Sequence, residues 1–139
     1  MKLGIIMEGG ASRTVFSCGV SDRFLEEGIM PDYFAGVSAG IAYGVSYLSG
    51  QKGRNRKIFE EYMADKRYMG MKYLFDKKMK SFYNIPFVFG EVPNKLVPFD
   101  YDAFAAYPGE VEAVVTNIHT GQAEYLKVPR DDHNFDVIV

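Results

Sequence analysis

Ser38 stands between Gly36 and Gly40 in "YFAGVSAGIAYGV", residues 33–45, at the end of an apolar run. A turn needs one glycine, so two placed symmetrically about a serine call for another cause. Where a strand turns sharply into a helix, the residues two before and two after the turning residue approach closely, and side chains there collide. Such an elbow holds a nucleophilic serine at a helix N-terminus, where backbone N–H groups and the helix dipole stabilise developing negative charge. The implied chemistry is acyl transfer through Ser38, with Gly36 and Gly40 forming the elbow. The alternative is a tight turn that matches the pattern by coincidence. A predicted strand before the serine and a predicted helix after it supply the context that the motif requires.

A second constellation lies upstream in "EGGASRTVFSCGV". A glycine-rich loop between a strand and a helix offers free backbone N–H groups to an anion. A dinucleotide phosphate would want Gly-x-Gly-x-x-Gly and an acidic residue closing the second strand. Here Ala11 and Thr14 replace two of those glycines, and the second strand ends in Gly-Val-Ser. The oxyanion of an acyl-transfer intermediate needs only two or three N–H groups near the serine. Adjacent parallel strands place their C-terminal loops side by side, so the oxyanion hole is the better reading.

The elements that must position these loops follow from periodicity. "KLGIIM" (2–7) reads as a short buried strand. Phe16, Val20 and Phe24, with Leu25, predict a helix burying that stripe, ended by Gly28 and Pro31. "YFAGV" (33–37) is the second strand and Ala39 to Leu48 the second helix. Strand–helix–strand–helix with short connections predicts an α/β fold with a parallel sheet. Residues 52–80 read as two or more short helices. "NIPFVFGEVPNKLVPFDYD" (84–102), broken by Pro86, Pro93 and Pro98, reads as loop with one short strand. "EVEAVVTN" (110–117) and "AEYLKV" (123–128) form a hairpin. "FDVIV" (135–139) is apolar with no closing turn, and reads as a chain cut inside an element.

Together, "EGGASR" before a helix and "GVSAG" about two dozen residues later resemble the patatin-like phospholipases, lipid acyl hydrolases with a three-layer α/β/α fold and a mainly parallel central sheet. "AGIAYGVSYLSGQKGR" and "PFDYDAF" are similar to the bacterial branch, so the resemblance covers most of residues 2–128. The family loop is usually Gly-Gly-Gly-x-Arg-Gly; this chain keeps Gly9, Gly10 and Arg13 and has Ala11 and Thr14. The resemblance implies that Ser38 is the nucleophile and that Gly9, Gly10 and Ala11 supply the oxyanion donors. Arg13 would steady the loop or a substrate phosphate. Residues 1–139 would be the N-terminal part of a single patatin-like domain, truncated at the C-terminus, with 52–98 as a basic, aromatic cap-like insertion. The substrate would be a phospholipid or acylglycerol.

In that family the base is an aspartate in an Asp-Gly-Gly or Asp-Gly-Ala motif. Neither motif occurs in the 139 residues, so the partner aspartate is expected beyond residue 139 and the chain alone is expected to be inactive. The alternative base is His119 or His133, oriented by Asp100, Asp102, Asp131, Asp132 or Asp136. A different class, a non-catalytic lipid- or partner-binding domain, is the rival. Cys18 reads as a small buried side chain rather than a reactive thiolate. No His/Cys/Asp grouping has metal-ligand spacing, and no cofactor is expected.

Bulk properties limit the partners. The net charge is −2, which argues against a nucleic-acid binder. No run reaches the roughly 18 apolar residues of a membrane span, and one cysteine fits a reducing compartment, so the expected location is cytoplasmic. Residues 52–80 carry ten basic against four acidic side chains, a net of +6, leaving −8 on the rest. Interleaved with Tyr, Phe and Met, that segment is either an ordinary solvated helical face over core or a surface for peripheral contact with anionic membrane.

Overall fold

The computed structural model describes residues 1–77, 80–131, 133 and 135–139. Lys78 of the basic segment and Asp132 therefore lie outside the described residues. Four strands form one sheet in the order β1 (Gly4–Met7), β2 (Tyr33–Val37), β3 (Glu110–Thr116), β4 (Ala123–Lys127). The first three are parallel and β4 returns antiparallel to β3. The α/β class with a mainly parallel sheet is thus observed, and the second strand and the hairpin fall where the sequence puts them.

β2 lies between β1 and β3 and is the most buried strand. The helix that follows it, α2 (Ala39–Leu48), packs flat on the sheet because its residue over Phe34 is Gly44. A Cβ on Gly44 would sit 2.3 Å from the Phe34 ring. Met7, Phe34, Ile41, Val45, Val111 and Ala113 are central to the core between sheet and helices. By strand alternation Ile6 points to the other face of the sheet, where it is 76% exposed.

α1 (Val15–Glu26) corrects the predicted stripe. Phe16 is 78% exposed and Val20 is also exposed, whereas Cys18 and Ser21 are buried. Cys18, Ser21, Asp22 and Leu25 lie on the side of the helix opposite Phe16 and Val20. This face meets α2 and α3 (Arg54–Tyr62), where close helix approach favours small side chains over phenylalanine. Asp22 also accepts the Gly53 N–H at 3.0 Å, tying α1 to the start of α3. Gly28 and Pro31 end α1 as expected, with the Ile29 N–H closing on the Phe24 carbonyl at 2.8 Å.

Residues 84–102 correct a second expectation. In place of loop and strand there is a π-helical segment, Pro86–Leu96, followed by α5 (Tyr101–Ala106). Pro86 sits in the first turn, where a missing N–H costs nothing. The Val97 N–H reaches back five residues to the Val92 carbonyl at 2.8 Å. Phe87, Val92 and Val97 pay for this less regular helix by burying themselves with Ile58 and Tyr68 in a second apolar cluster. Between them, α3 and the short α4 (Met71–Leu74) account for the two helices predicted in 52–80. Phe135 is buried against Phe89, Phe99 and Tyr101.

Candidate functional site

Ser38 occupies the single residue between β2 and α2. Its backbone stands at φ 51°, ψ −122°, outside the helix and strand regions and unusual for a residue with a Cβ. The Ile41 and Ala42 N–H groups both donate to its carbonyl at 3.2 Å, which starts α2 at once. The flanking glycines are sterically required. A Cβ on Gly36 would lie 2.5 Å from Ile41 Cα, and one on Gly40 would lie 2.1 Å from the Met7 carbonyl oxygen. Gly36 lets the elbow fold onto its own helix, and Gly40 lets that helix touch the end of β1.

The second of these contacts brings the glycine loop to the serine. A Cβ on Gly9 would lie 3.0 Å from Ser38 Cβ and 3.7 Å from Ser38 Oγ. Gly10 has φ 148°, ψ 19°, and Ala11 follows at φ 50°, opening a 3-10 turn over Ala11–Thr14. Ala11 holds the left-handed conformation with a Cβ, at about 1–2 kcal/mol. Among the described residues, the N–H groups of Gly9, Gly10 and Ala11 meet no acceptor. Arg13 lies along the same loop, its Nε 3.6 Å from where a Gly10 Cβ would stand. Ala39, directly after the serine at the start of α2, is not among the candidate donors taken from the sequence. The signal was in the motif itself, because the residue after an elbow nucleophile directs its N–H toward the same space.

Ser38 and Ala11 also line an apolar cavity of about 250 Å³. Its floor runs along α2 through Ala39, Ala42 and Val45, and its roof comes from α3 and the π-helical segment. Tyr43 and Tyr68 stand in its wall with their hydroxyls 3.1 Å apart. Burial pushes both phenols up, so they remain protonated at neutral pH. This cavity could not be read from local sequence, since its walls come from residues 39–45, 54–93 and 135–139.

The histidines stand elsewhere. His119 is exposed in the turn between β3 and β4, where its backbone N–H donates to Asn117 Oδ1. His133 stacks on Tyr101 with ring centroids 4.6 Å apart and lines a separate open cavity with Gln51, Asp100 and Asp102. Neither is hydrogen-bonded to Ser38 among the described residues. Cys18 is buried in the core and burial pushes its thiol up to about 12, which keeps it neutral. Among the described residues there is no group of three or more His, Cys, Asp or Glu side chains arranged for a metal. No helix among them is long and apolar enough to cross a membrane.

With this geometry in place, the sequence profile of the patatin-like phospholipase family matches residues 5–138. The chain belongs to the patatin-like phospholipase family. The mostly parallel four-stranded sheet and its helices are those of a patatin-like α/β/α fold. Among curated proteins, the uncharacterized protein YjjU of Escherichia coli (strain K12) is 29% identical over 68 residues, 48% of this chain. That alignment covers 19% of YjjU, so the chain spans well under two thirds of this relative. No solved structure matches the chain.

Proposed function

We propose that this patatin-like chain carries the nucleophile of a lipid acyl hydrolase acting on a phospholipid or acylglycerol. In this reading Ser38 Oγ attacks the ester carbonyl, its proton passes to the base, and the carbonyl oxygen becomes an oxyanion. The N–H groups of Gly9, Gly10 and Ala11, with that of Ala39, receive the oxyanion. The alcohol then leaves with a proton, and water attacks the acyl-enzyme to release the acid and restore Ser38. Arg13 steadies the loop or a substrate phosphate, and the acyl chain enters the apolar cavity. The base is an aspartate C-terminal to Val139, so the chain by itself turns over little. General acid–base assistance is worth about 10²–10⁴ in rate. Peripheral contact with anionic membrane through 52–80 belongs to the same reading.

The observation that carries it is the approach of the Gly9 loop to a serine held at φ 51° on the rim of an apolar cavity. A fluorophosphonate probe tests it on a chain extended past Val139. Labelling at Ser38, lost together with p-nitrophenyl ester hydrolysis in Ser38→Ala, is the expected outcome. Near-normal turnover by Ser38→Ala would overturn it. Lipid binding with no labelling would instead favour a non-catalytic lipid-binding domain, the reading consistent with a strained alanine at Ala11.

A further inference from the structure

One charged side chain stands among the described residues of the cavity wall: Arg54, at the start of α3. Its guanidinium donates from Nη1 to Ser46 Oγ at 2.8 Å, from Nη2 to the Val97 carbonyl at 2.9 Å and from Nε to the Pro98 carbonyl at 3.3 Å. It also lies 5.1 Å from the centre of the Phe99 ring. All of these partners are neutral, and no carboxylate pairs with Arg54 among the described residues. Three of its five N–H groups are thereby occupied, leaving one on each terminal nitrogen. Burial pulls the guanidinium down to about 10, so it is charged at neutral pH at a cost that an anion would relieve.

The helix that carries Ser46 sets the scale of the separation between Arg54 and Ser38. Ser46, which holds Arg54, is eight residues beyond Ser38 along α2, a rise of about 12 Å. Ala39, Ala42 and Val45 line the cavity over that length. An extended chain of about nine carbons covers this span.

We infer that the cavity is a length-limited acyl site with an anion-selective far end, taking an acyl chain of about nine carbons that terminates in a carboxylate held by Arg54. The ester end of this ligand at Ser38 rests on the proposed hydrolase reading. The carboxylate end rests on Arg54 and the cavity alone. Two unspent guanidinium N–H groups suit a carboxylate, and the mainly apolar wall between the ends, where the Tyr43 and Tyr68 hydroxyls meet each other, suits methylenes.

Calorimetric titration of the Ser38→Ala chain, which cannot turn the ligands over, tests it with two probes of one length. Monomethyl nonanedioate presents the free carboxylate, and dimethyl nonanedioate masks it. The monoester is expected to bind about tenfold tighter or more, the worth of charge-assisted hydrogen bonds. Adding Arg54→Gln should bring the two probes within about twofold, while Arg54→Lys keeps part of the preference. Equal binding of both probes, no binding of either, or a preference that survives a folded Arg54→Gln would overturn the inference. If circular dichroism shows Arg54→Gln unfolded, Ala42→Phe decides: filling the cavity should abolish binding of both probes, and a retained preference for the monoester would place the site elsewhere. Preferential binding with no fluorophosphonate labelling of Ser38 would sink the hydrolase reading alone. Labelling without that preference would sink this inference alone.

Discussion

Gly40→Ala is expected to damage stability and site together, because the added carbon has no room to escape. Its Cβ would stand 2.1 Å from the Met7 carbonyl oxygen and 2.7 Å from that of Glu8. Both obstacles are backbone, so no rotamer change relieves them. α2 must retreat from the end of β1 by roughly 1 Å in an interior that is close-packed. Overpacking of this kind costs about 1–3 kcal/mol, and a backbone clash belongs near the upper end. Alanine recovers up to about 1 kcal/mol as the better helix former. The clash wins, leaving about 1–2 kcal/mol of destabilisation, or a melting temperature lower by roughly 4–8 °C for a chain of this size. The retreat also carries Ser38 away from Gly9, and a misplacement of that order costs roughly 10²-fold in reactivity. Thermal unfolding by circular dichroism reads the first effect and the rate of fluorophosphonate labelling the second. Gly19→Ala is the matched control: Gly19 lies inside α1 with nothing within 4 Å of an added Cβ. That variant should gain up to about 1 kcal/mol. If Gly40→Ala melts as high as Gly19→Ala, the close approach of α2 to β1 is refuted.

Ala11→Gly releases the left-handed strain at φ 50°, which at about 1–2 kcal/mol outweighs the glycine entropy cost of about 0.5–1 kcal/mol. Its melting temperature should therefore be unchanged or higher, and a clear fall would show that Ala11 is unstrained. Cys18, whose thiol burial raises to about 12, stays protonated and should react with a disulfide reagent at pH 8 only as fast as the chain opens. Reaction at the rate of a free thiol in the folded chain would contradict its burial. Met71, Leu74 and Phe75 are exposed beside Lys72 and Lys77, with Lys80 nearby in sequence, and each such cation near an anionic surface contributes about 1 kcal/mol. Charge reversal at Lys72, Lys77 and Lys80 should weaken binding to anionic liposomes and remove its salt dependence; equal binding to neutral and anionic vesicles would leave these residues a solvated face.

Much of the site's frame was legible locally. β2 at Tyr33–Val37 and α2 at Ala39–Leu48 fall where hydrophobic run and small-residue helix put them, because turn sterics and periodicity act over a few residues. The same holds for the elbow, whose two glycines are demanded by contacts within one strand–turn–helix unit and its neighbour. The buried face of α1 was not legible. Phe16 and Val20 satisfy an apolar period, yet burial goes to Cys18 and Ser21, since the choice depends on how closely α2 and α3 approach. Nor was the π-helical segment, whose prolines read as breaks until Phe87, Val92 and Val97 find a common cluster with Ile58 and Tyr68. The cavity, and an Arg54 in its wall that meets no carboxylate among the described residues, belong to tertiary structure alone. Ser38, Arg54 and Phe135 are far apart in the chain and share one space only after three separate stretches pack over α2. The local geometry of a serine at a strand–helix turn is a short-range property, but what its neighbourhood will accept is decided by long-range packing.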